Sequence, residues 1–171
     1  MNSIRRLYLV VALMVMSGVC TFAQTSGMKI VSVHPDIKFK ITRCEAAGKI
    51  VVIDFVIENV GSSDINLQIL SSISYDTASV AYDDEGNIYG SGSIGIKLGN
   101  SKMEGEGALE TGPQQVLPSE IPVKGRIQIG KVPESATMFK RLDLKMSSRE
   151  LNFNNRSLRI TNIPISREGD E

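Results

Sequence analysis

Large apolar residues recur along this chain with a period of two. Ile37, Phe39 and Ile41 alternate with Lys38, Lys40 and Thr42. Ile94, Ile96 and Leu98 alternate with Ser93, Gly95 and Lys97, and Leu142, Leu144 and Met146 alternate with charged residues. Such spacing turns one face of a strand to a core and the other to water. No window of about ten residues carries the i, i+3, i+4, i+7 pattern of a helix without a glycine or proline breaking it. Lys49 to Glu58 is β-branched and aromatic, with Val51, Ile53, Phe55 and Ile57 on one face and apolar residues on part of the other. That predicts a central strand. Ile30 and Val33 mark a short first strand, Leu67 and Ile69 open another, and Ile73 to Tyr82 continues or follows it. Ile121, Val123, Ile127 and Ile129 share one parity, with Gly125 read as a bulge; Leu158 and Ile160 form the last strand, extended through Ile163 and Ile165. Turns fall at Ala46-Ala47-Gly48, at Asn59 to Asp64 and at Asp83 to Asn87. About eight strands at this spacing predict an all-β chain, an antiparallel β-sandwich of about seven to nine strands.

The beginning of the chain has the three-part layout of a secretory signal. Arg5 and Arg6 form a basic head, Leu7 to Val19 is uncharged and apolar, and Thr21 and Ala23 are the small residues a signal peptidase reads. The apolar run is shorter than the roughly 20 residues that span a bilayer. Residues 1–23 are therefore expected to be removed, leaving Gln24 first, a single domain over 24–166 and a polar tail over 167–171, in the periplasm or outside the cell. The Ala23-Gln24 junction resembles signal peptides of Bacteroidetes. Ser17-Gly18-Val19-Cys20 offers an alternative, a lipobox that would lipidate Cys20 and anchor the protein to a membrane. Val19 is branched where that processing wants a small residue, so the ordinary cleavage is favoured.

Charge and cysteine use exclude several classes. Lys+Arg 19 and Asp+Glu 19 cancel, and loss of Arg5 and Arg6 would leave the mature chain slightly acidic. That is not the basic footprint of a nucleic-acid-binding domain, and no run of like charge marks an arm for a polyanion or membrane surface. Cys20 leaves with the signal, so Cys44 has no disulfide partner and reads as a small buried hydrophobe. The stretch Asn100 to Glu120 carries Gly105, Gly107, Gly112, Pro113 and Pro118. It reads as a mobile connection, with binding as the alternative.

Val52-Ile53-Asp54-Phe55-Val56-Ile57-Glu58-Asn59-Val60-Gly61, Asp83-Asp84-Glu85-Gly86-Asn87-Ile88-Tyr89, and Leu117-Pro118 followed by Val123-Lys124-Gly125-Arg126-Ile127 form a series. The series resembles the secreted, telokin-like immunoglobulin-type domains of bacterial envelopes, over about residues 37–146. The resemblance implies an immunoglobulin-like sandwich and an export route, and brings no catalytic residues with it.

Short motifs carry little chemistry. Gly90-Ser91-Gly92-Ser93-Ile94-Gly95 matches G-x-G-x-x-G, but Ile96 to Asn100 cannot begin the helix a dinucleotide loop needs. His34-Pro35-Asp36 reads as a turn, and His34 is the only histidine. A nucleophile–base site would have to use it, and nothing places Cys44 beside it. Asp83, Asp84, Glu85 and Asn87 miss the spacing of a calcium loop, and Glu104, Glu106 and Glu110 lack rigid supports. Asn155-Arg156-Ser157 is an N-glycosylation sequon. Asp76-Thr77-Ala78 resembles an O-glycosylation site of exported Bacteroidetes proteins, with Thr77 as acceptor.

The expected function is non-catalytic binding of an envelope protein, a host surface or a polysaccharide, without cofactor, metal or nucleic acid. The alternative is a structural subunit of a surface assembly that pairs by strand exchange. Tyr82 and Tyr89 bracket the acidic hairpin, making Tyr82, Asp83, Asp84, Glu85, Asn87 and Tyr89 candidate ligand contacts. The competing reading has the two rings pairing across the strands. Intact-mass and N-terminal peptide mapping of the exported protein should find Gln24, free or cyclised, at the first position; a diacylated Cys20 would replace the free form with an anchored one.

Overall fold

A computed structural model describes residues 27–71, 78–104 and 112–167. The signal segment, Cys20 and Thr77 lie outside the described residues. Twelve strands follow one another: β1 (Lys29–Val31), β2 (Ile37–Ala47), β3 (Ile50–Asn59), β4 (Ile65–Leu70), β5 (Val80–Asp83), β6 (Ile88–Tyr89), β7 (Ile94–Leu98), β8 (Gln114–Leu117), β9 (Val123–Ile129), β10 (Met138–Ser148), β11 (Phe153–Pro164) and β12 (Ser166–Arg167). The described residues contain no helix, hence none long and apolar enough to cross a membrane. The first sheet has the order β1-β11-β10-β4-β8, with β5 on β10 and β6 on β5; the second has the order β12-β2-β3-β9-β7. All pairs are antiparallel except β12 with β2. The chain is a β-sandwich. It has more strands than periodicity alone counts: β6 and β12 are too short to show alternation, and β8 lies within Asn100 to Glu120, the stretch that reads as a mobile connection.

The inner faces follow the parity read from the sequence. Ile53, Phe55 and Ile57 of β3, Ile127 and Ile129 of β9, and Ile94, Ile96 and Leu98 of β7 are buried. They share one core with Leu67 and Ile69 of β4 and with Leu142, Leu144, Leu158 and Ile160 of β10 and β11. The central position expected for Lys49 to Glu58 is that of β3, paired on both sides by β2 and β9. In β2 the register shifts between Ile41 and Arg43. The extra residue returns the parity to Cys44, which faces the core while Arg43 faces water. Cys44 is free and buried, and burial, aided by the charge of Glu45, pushes its thiol up to about 12.

Two turns differ from expectation. Ala46 and Ala47 belong to β2, which extends to Ala47 before a turn at Gly48 with φ +56°. Gly125 is not a bulge: the β3–β9 register runs through it without a shift, with Gly125 opposite Phe55. A Cβ on Gly125 would lie 2.1 Å from Cζ of Phe55, so the glycine exists to let the ring lie across the strand. The same ring stacks on Phe39 at 4.7 Å between centroids.

The long strand β10 templates two others end to end. β5 pairs with its first half and β4 with its second. Ser79 closes the join: its N–H and its Oγ both donate to the Leu70 carbonyl, at 3.0 and 2.6 Å, and its Oγ accepts from the Lys145 N–H at 3.0 Å.

Replacing Gly125 by alanine should displace the Phe55 ring and cost about 1–3 kcal/mol, as overpacking does. Gly90→Ala, where nothing lies within 4 Å of the added Cβ, should leave urea unfolding unchanged and serves as the control.

Candidate functional site

The acidic hairpin is a tightly bonded turn. Asp83 is 3% exposed. Its Oδ1 accepts from the N–H of Glu85 at 3.0 Å and of Asn87 at 2.8 Å; its Oδ2 accepts from Asn87 Nδ2 at 2.8 Å and from the Tyr89 hydroxyl at 2.7 Å. Burial raises the Asp83 carboxyl, but the donors of Asn87, Tyr89 and Glu85 outweigh it and hold it below the ordinary carboxylate range. Burial and the bond to Asp83 push the Tyr89 phenol upward. Gly86, at φ +89°, supplies the backbone conformation the turn requires. Asp84 accepts from the N–H of Thr137 at 3.1 Å and its Oγ1 at 2.5 Å, tying the hairpin to the loop before β10.

The two tyrosines do not pair. Register sets Tyr89 opposite Ala81 and Tyr82 opposite Ile88, on opposite faces. Tyr89 turns inward, edge-on to Phe139 at 5.9 Å. Tyr82 turns outward beneath Arg141, whose guanidinium lies 5.5 Å from the ring centroid. Asp83 and Tyr89 are thus enclosed in the fold and held by each other, while Glu85 and Asn87 are exposed at the tip.

The remaining sequence candidates separate. His34 Nδ1 accepts from the Asp36 N–H at 3.2 Å and its ring stacks on Phe153, so the His-Pro-Asp stretch is a turn. Gly90 to Ser93 leads into β7, with no helix following. Asn155 sits half-buried in β11 at φ +52°, its Oδ1 enclosed without a partner among the described residues, rather than on an open loop. Of the three loop glutamates, Glu104 pairs backbone-to-backbone with Ile96; Glu106 and Glu110 lie outside the described residues. Among the described residues no three His, Cys, Asp or Glu side chains come together as metal ligands.

A depression lies where the sequence offered no motif. It is a cleft of about 860 Å³ on the solvent face of the first sheet, beside the turn joining β10 to β11. Asn66 and Gln68 of β4, Gln114 of β8, and Asn152 and Asn154 bring five carboxamides to it. Alternation makes part of this set: Ser147 of β10, Gln68 and Gln114 stand directly opposite one another in one row across three strands. The turn supplies the rest, with Asn152 at φ +52°, a conformation asparagine tolerates. Several of the groups are already oriented. Asn66 Nδ2 donates to Glu150 Oε1 at 3.1 Å, Ser148 Oγ to Glu150 Oε2 at 3.2 Å, and Ser147 Oγ to Asn154 Oδ1 at 2.8 Å. The Asn66 and Ser148 bonds lower the Glu150 carboxyl. Phe153, 5% exposed, backs the cleft.

No protein-family model matches the sequence, and neither does any curated protein. Two solved structures are similar at a distance. One is a family 123 glycoside hydrolase from Clostridium perfringens, at 12% identity and TM-score 0.39, covering 72% of this chain and 22% of that one. The other is the Northeast Structural Genomics Consortium target SoR45, at 11% identity and TM-score 0.38, covering 84% of this chain and 89% of that one. The chain spans about a fifth of the hydrolase.

The Asp83 network has a pH signature. A carboxyl held below its unfolded value stabilises the fold above that unfolded value and loses its contribution as pH falls through the folded one. Asp83→Asn sets an amide against the donors of Tyr89 and Asn87 and should cost about 2–3 kcal/mol at pH 7. By urea unfolding the gap between variant and parent should narrow as pH falls below the unfolded carboxyl's ordinary value toward the lower folded one.

Proposed function

We propose that this protein is an exported, non-catalytic sandwich that binds polysaccharide through the carboxamide cleft. The observation that carries the reading is the convergence of Asn66, Gln68, Gln114, Asn152 and Asn154 on one depression. A carboxamide both donates and accepts, as a sugar hydroxyl does, and it holds no charge that would demand a counter-charge from the ligand. Five such groups on strand ends and a short turn suit a polyhydroxylated chain lying across the sheet. The hydrogen bonds to Glu150 and from Ser147 hold Asn66 and Asn154 in place before the ligand arrives, which lowers the ordering cost of binding. Export is read from the basic head, apolar run and small-residue cleavage site of residues 1–23.

The sheet edges favour binding over assembly by strand exchange. β1 is three residues long and β8 four, and β6 and β12 are two each. The open side of β7 is already met by backbone: Ile96 N–H donates to the Glu104 carbonyl at 2.7 Å, and Glu104 N–H donates back at 2.9 Å. Short and covered edges are the ones that resist pairing with another chain.

A glycan array probed with the purified protein should retain neutral oligosaccharides. Gln114→Ala and Asn66→Ala should each weaken the best ligand about tenfold, the worth of one hydrogen bond left unmade, with unfolding midpoints close to the parent's. Array binding unchanged in both variants, or shortened glycan products after incubation, would overturn the reading.

A further inference from the structure

The solvent face of the second sheet has a different chemistry. Register sets four charged side chains in one row across four strands: Lys97 of β7, Arg126 of β9, Asp54 of β3 and Arg43 of β2. The adjoining row holds Lys124 opposite Val56 opposite Lys40, and beyond it Lys38 stands opposite Glu58. A groove of about 550 Å³ runs between Lys97, Lys124 and Arg126 on one side and Thr42 and Val56 on the other.

Asp54 organises this face. It accepts from Arg126 Nε at 2.6 Å and Nη2 at 3.2 Å, and from Arg43 Nε at 2.9 Å. The Arg126 bond, aided by Arg43, keeps the carboxylate below its ordinary range despite partial desolvation. One anion thus fixes two guanidinium planes. Arg43 also reaches Glu45 at 3.1 Å. Lys38, Lys40, Lys97 and Lys124 are exposed, and none forms a salt bridge among the described residues. Cations therefore outnumber acids across the face. Neighbouring strands lie about 4.8 Å apart and alternate residues about 6.8 Å apart along a strand, so Lys97 and Arg126 stand at the first spacing and Lys124 and Arg126 at the second. The matching ligand is an extended chain with an anion on each repeat. The groove has a carboxylate-clamped arginine, lysines and an aliphatic floor, but no exposed aromatic: its one ring, Phe55, is 1% exposed. Single-stranded nucleic acid relies on such rings for base stacking, so the surface favours a glycan.

We propose that the groove on the second sheet binds an anionic polysaccharide, whose carboxylate or sulfate groups are met by Lys97, Lys124 and Arg126. The site is separate from the carboxamide cleft and stands or falls independently of it.

The test is affinity electrophoresis of the full chain through gels containing polygalacturonate, dextran sulfate, neutral dextran or a thymidine oligonucleotide. The comparison protein is the double variant Lys97→Glu/Lys124→Glu, at two lysines that make no ion pair among the described residues, and its folding is checked by circular dichroism. At least one anionic glycan should retard the parent, polygalacturonate reporting carboxylate recognition and dextran sulfate reporting sulfate. The affinity should fall about tenfold between about 50 and 200 mM salt, as release of counterions from a few contacts requires. It should fall at least about tenfold in the double variant, by loss of those contacts, and be unchanged in Gln114→Ala. Absence of retardation by both anionic glycans, equal retardation of parent and folded double variant, or an oligonucleotide bound as tightly as the glycans would each overturn the assignment. Loss of anionic binding in Gln114→Ala would merge the two surfaces into one site and overturn their independence.

Discussion

The dry contact between the two inner faces holds this molecule together. There is no helix among the described residues to cover either sheet, and the one described cysteine is free. Each fully buried aliphatic chain is worth about 1.5–3 kcal/mol of burial, and the inner faces supply many of them. That contact leaves little tolerance for unpaired polar groups, which shows in how the buried ones are treated. Asn59 is fully enclosed at the end of β3, and its side chain works as a three-way tie: Nδ2 donates to the carbonyls of Ser63 at 2.8 Å and Leu117 at 3.2 Å, and Oδ1 accepts from the Gly61 N–H at 3.0 Å. It fastens the β3–β4 turn to the end of β8 in the opposite sheet.

The outer faces repeat one device and then diverge. On the first sheet Asp143 lies between Arg141 of its own strand and Arg159 of β11. On the second, Asp54 lies between Arg43 and Arg126. Burial works against the Asp143 anion, and bonds from Arg141 and then Arg159 overcome it, holding the carboxyl low. Both clamps fix the direction of guanidinium groups that would otherwise sweep freely. Beyond Lys145, along β10 from the Asp143 clamp, the first sheet turns to amides and hydroxyls, and around the Asp54 clamp the second turns to lysines.

Parity made the fold legible. The alternations at 37–41, 94–98 and 142–146 each place their apolar members inside, and the two-sided apolar run at 50–59 lies in mid-sheet. Parity also hid what it could not resolve. Gly125 looked like a bulge because a glycine inside a strand has two physical meanings, and only the position of Phe55 distinguishes them. The hairpin around Asp83 looked like a contact surface because an acidic turn between tyrosines reads as exposed, whereas Asp83 is the acceptor that builds the turn. The carboxamides escaped notice because Asn152 and Asn154 resemble turn formers and Gln68 and Gln114 resemble ordinary outward-facing residues. Only cross-strand register, which joins positions far apart in sequence, brings them together. The lysine face was hidden likewise: a chain with balanced charge segregates its cations by strand order rather than by run.

The join between β4 and β5 is held by their common neighbour. Because β10 templates both strands, their alignment rests on its ladder, and Ser79 meets the Leu70 carbonyl directly. The sheet therefore does not measure how much chain lies between those two residues. Doubling the length of a loop costs only about 0.6 kcal/mol in closure entropy. The alignment of β4 with β5 is thus set by the ladder of β10 and by Ser79, so lengthening the chain between Leu70 and Ser79 should leave both outer faces with their chemistry.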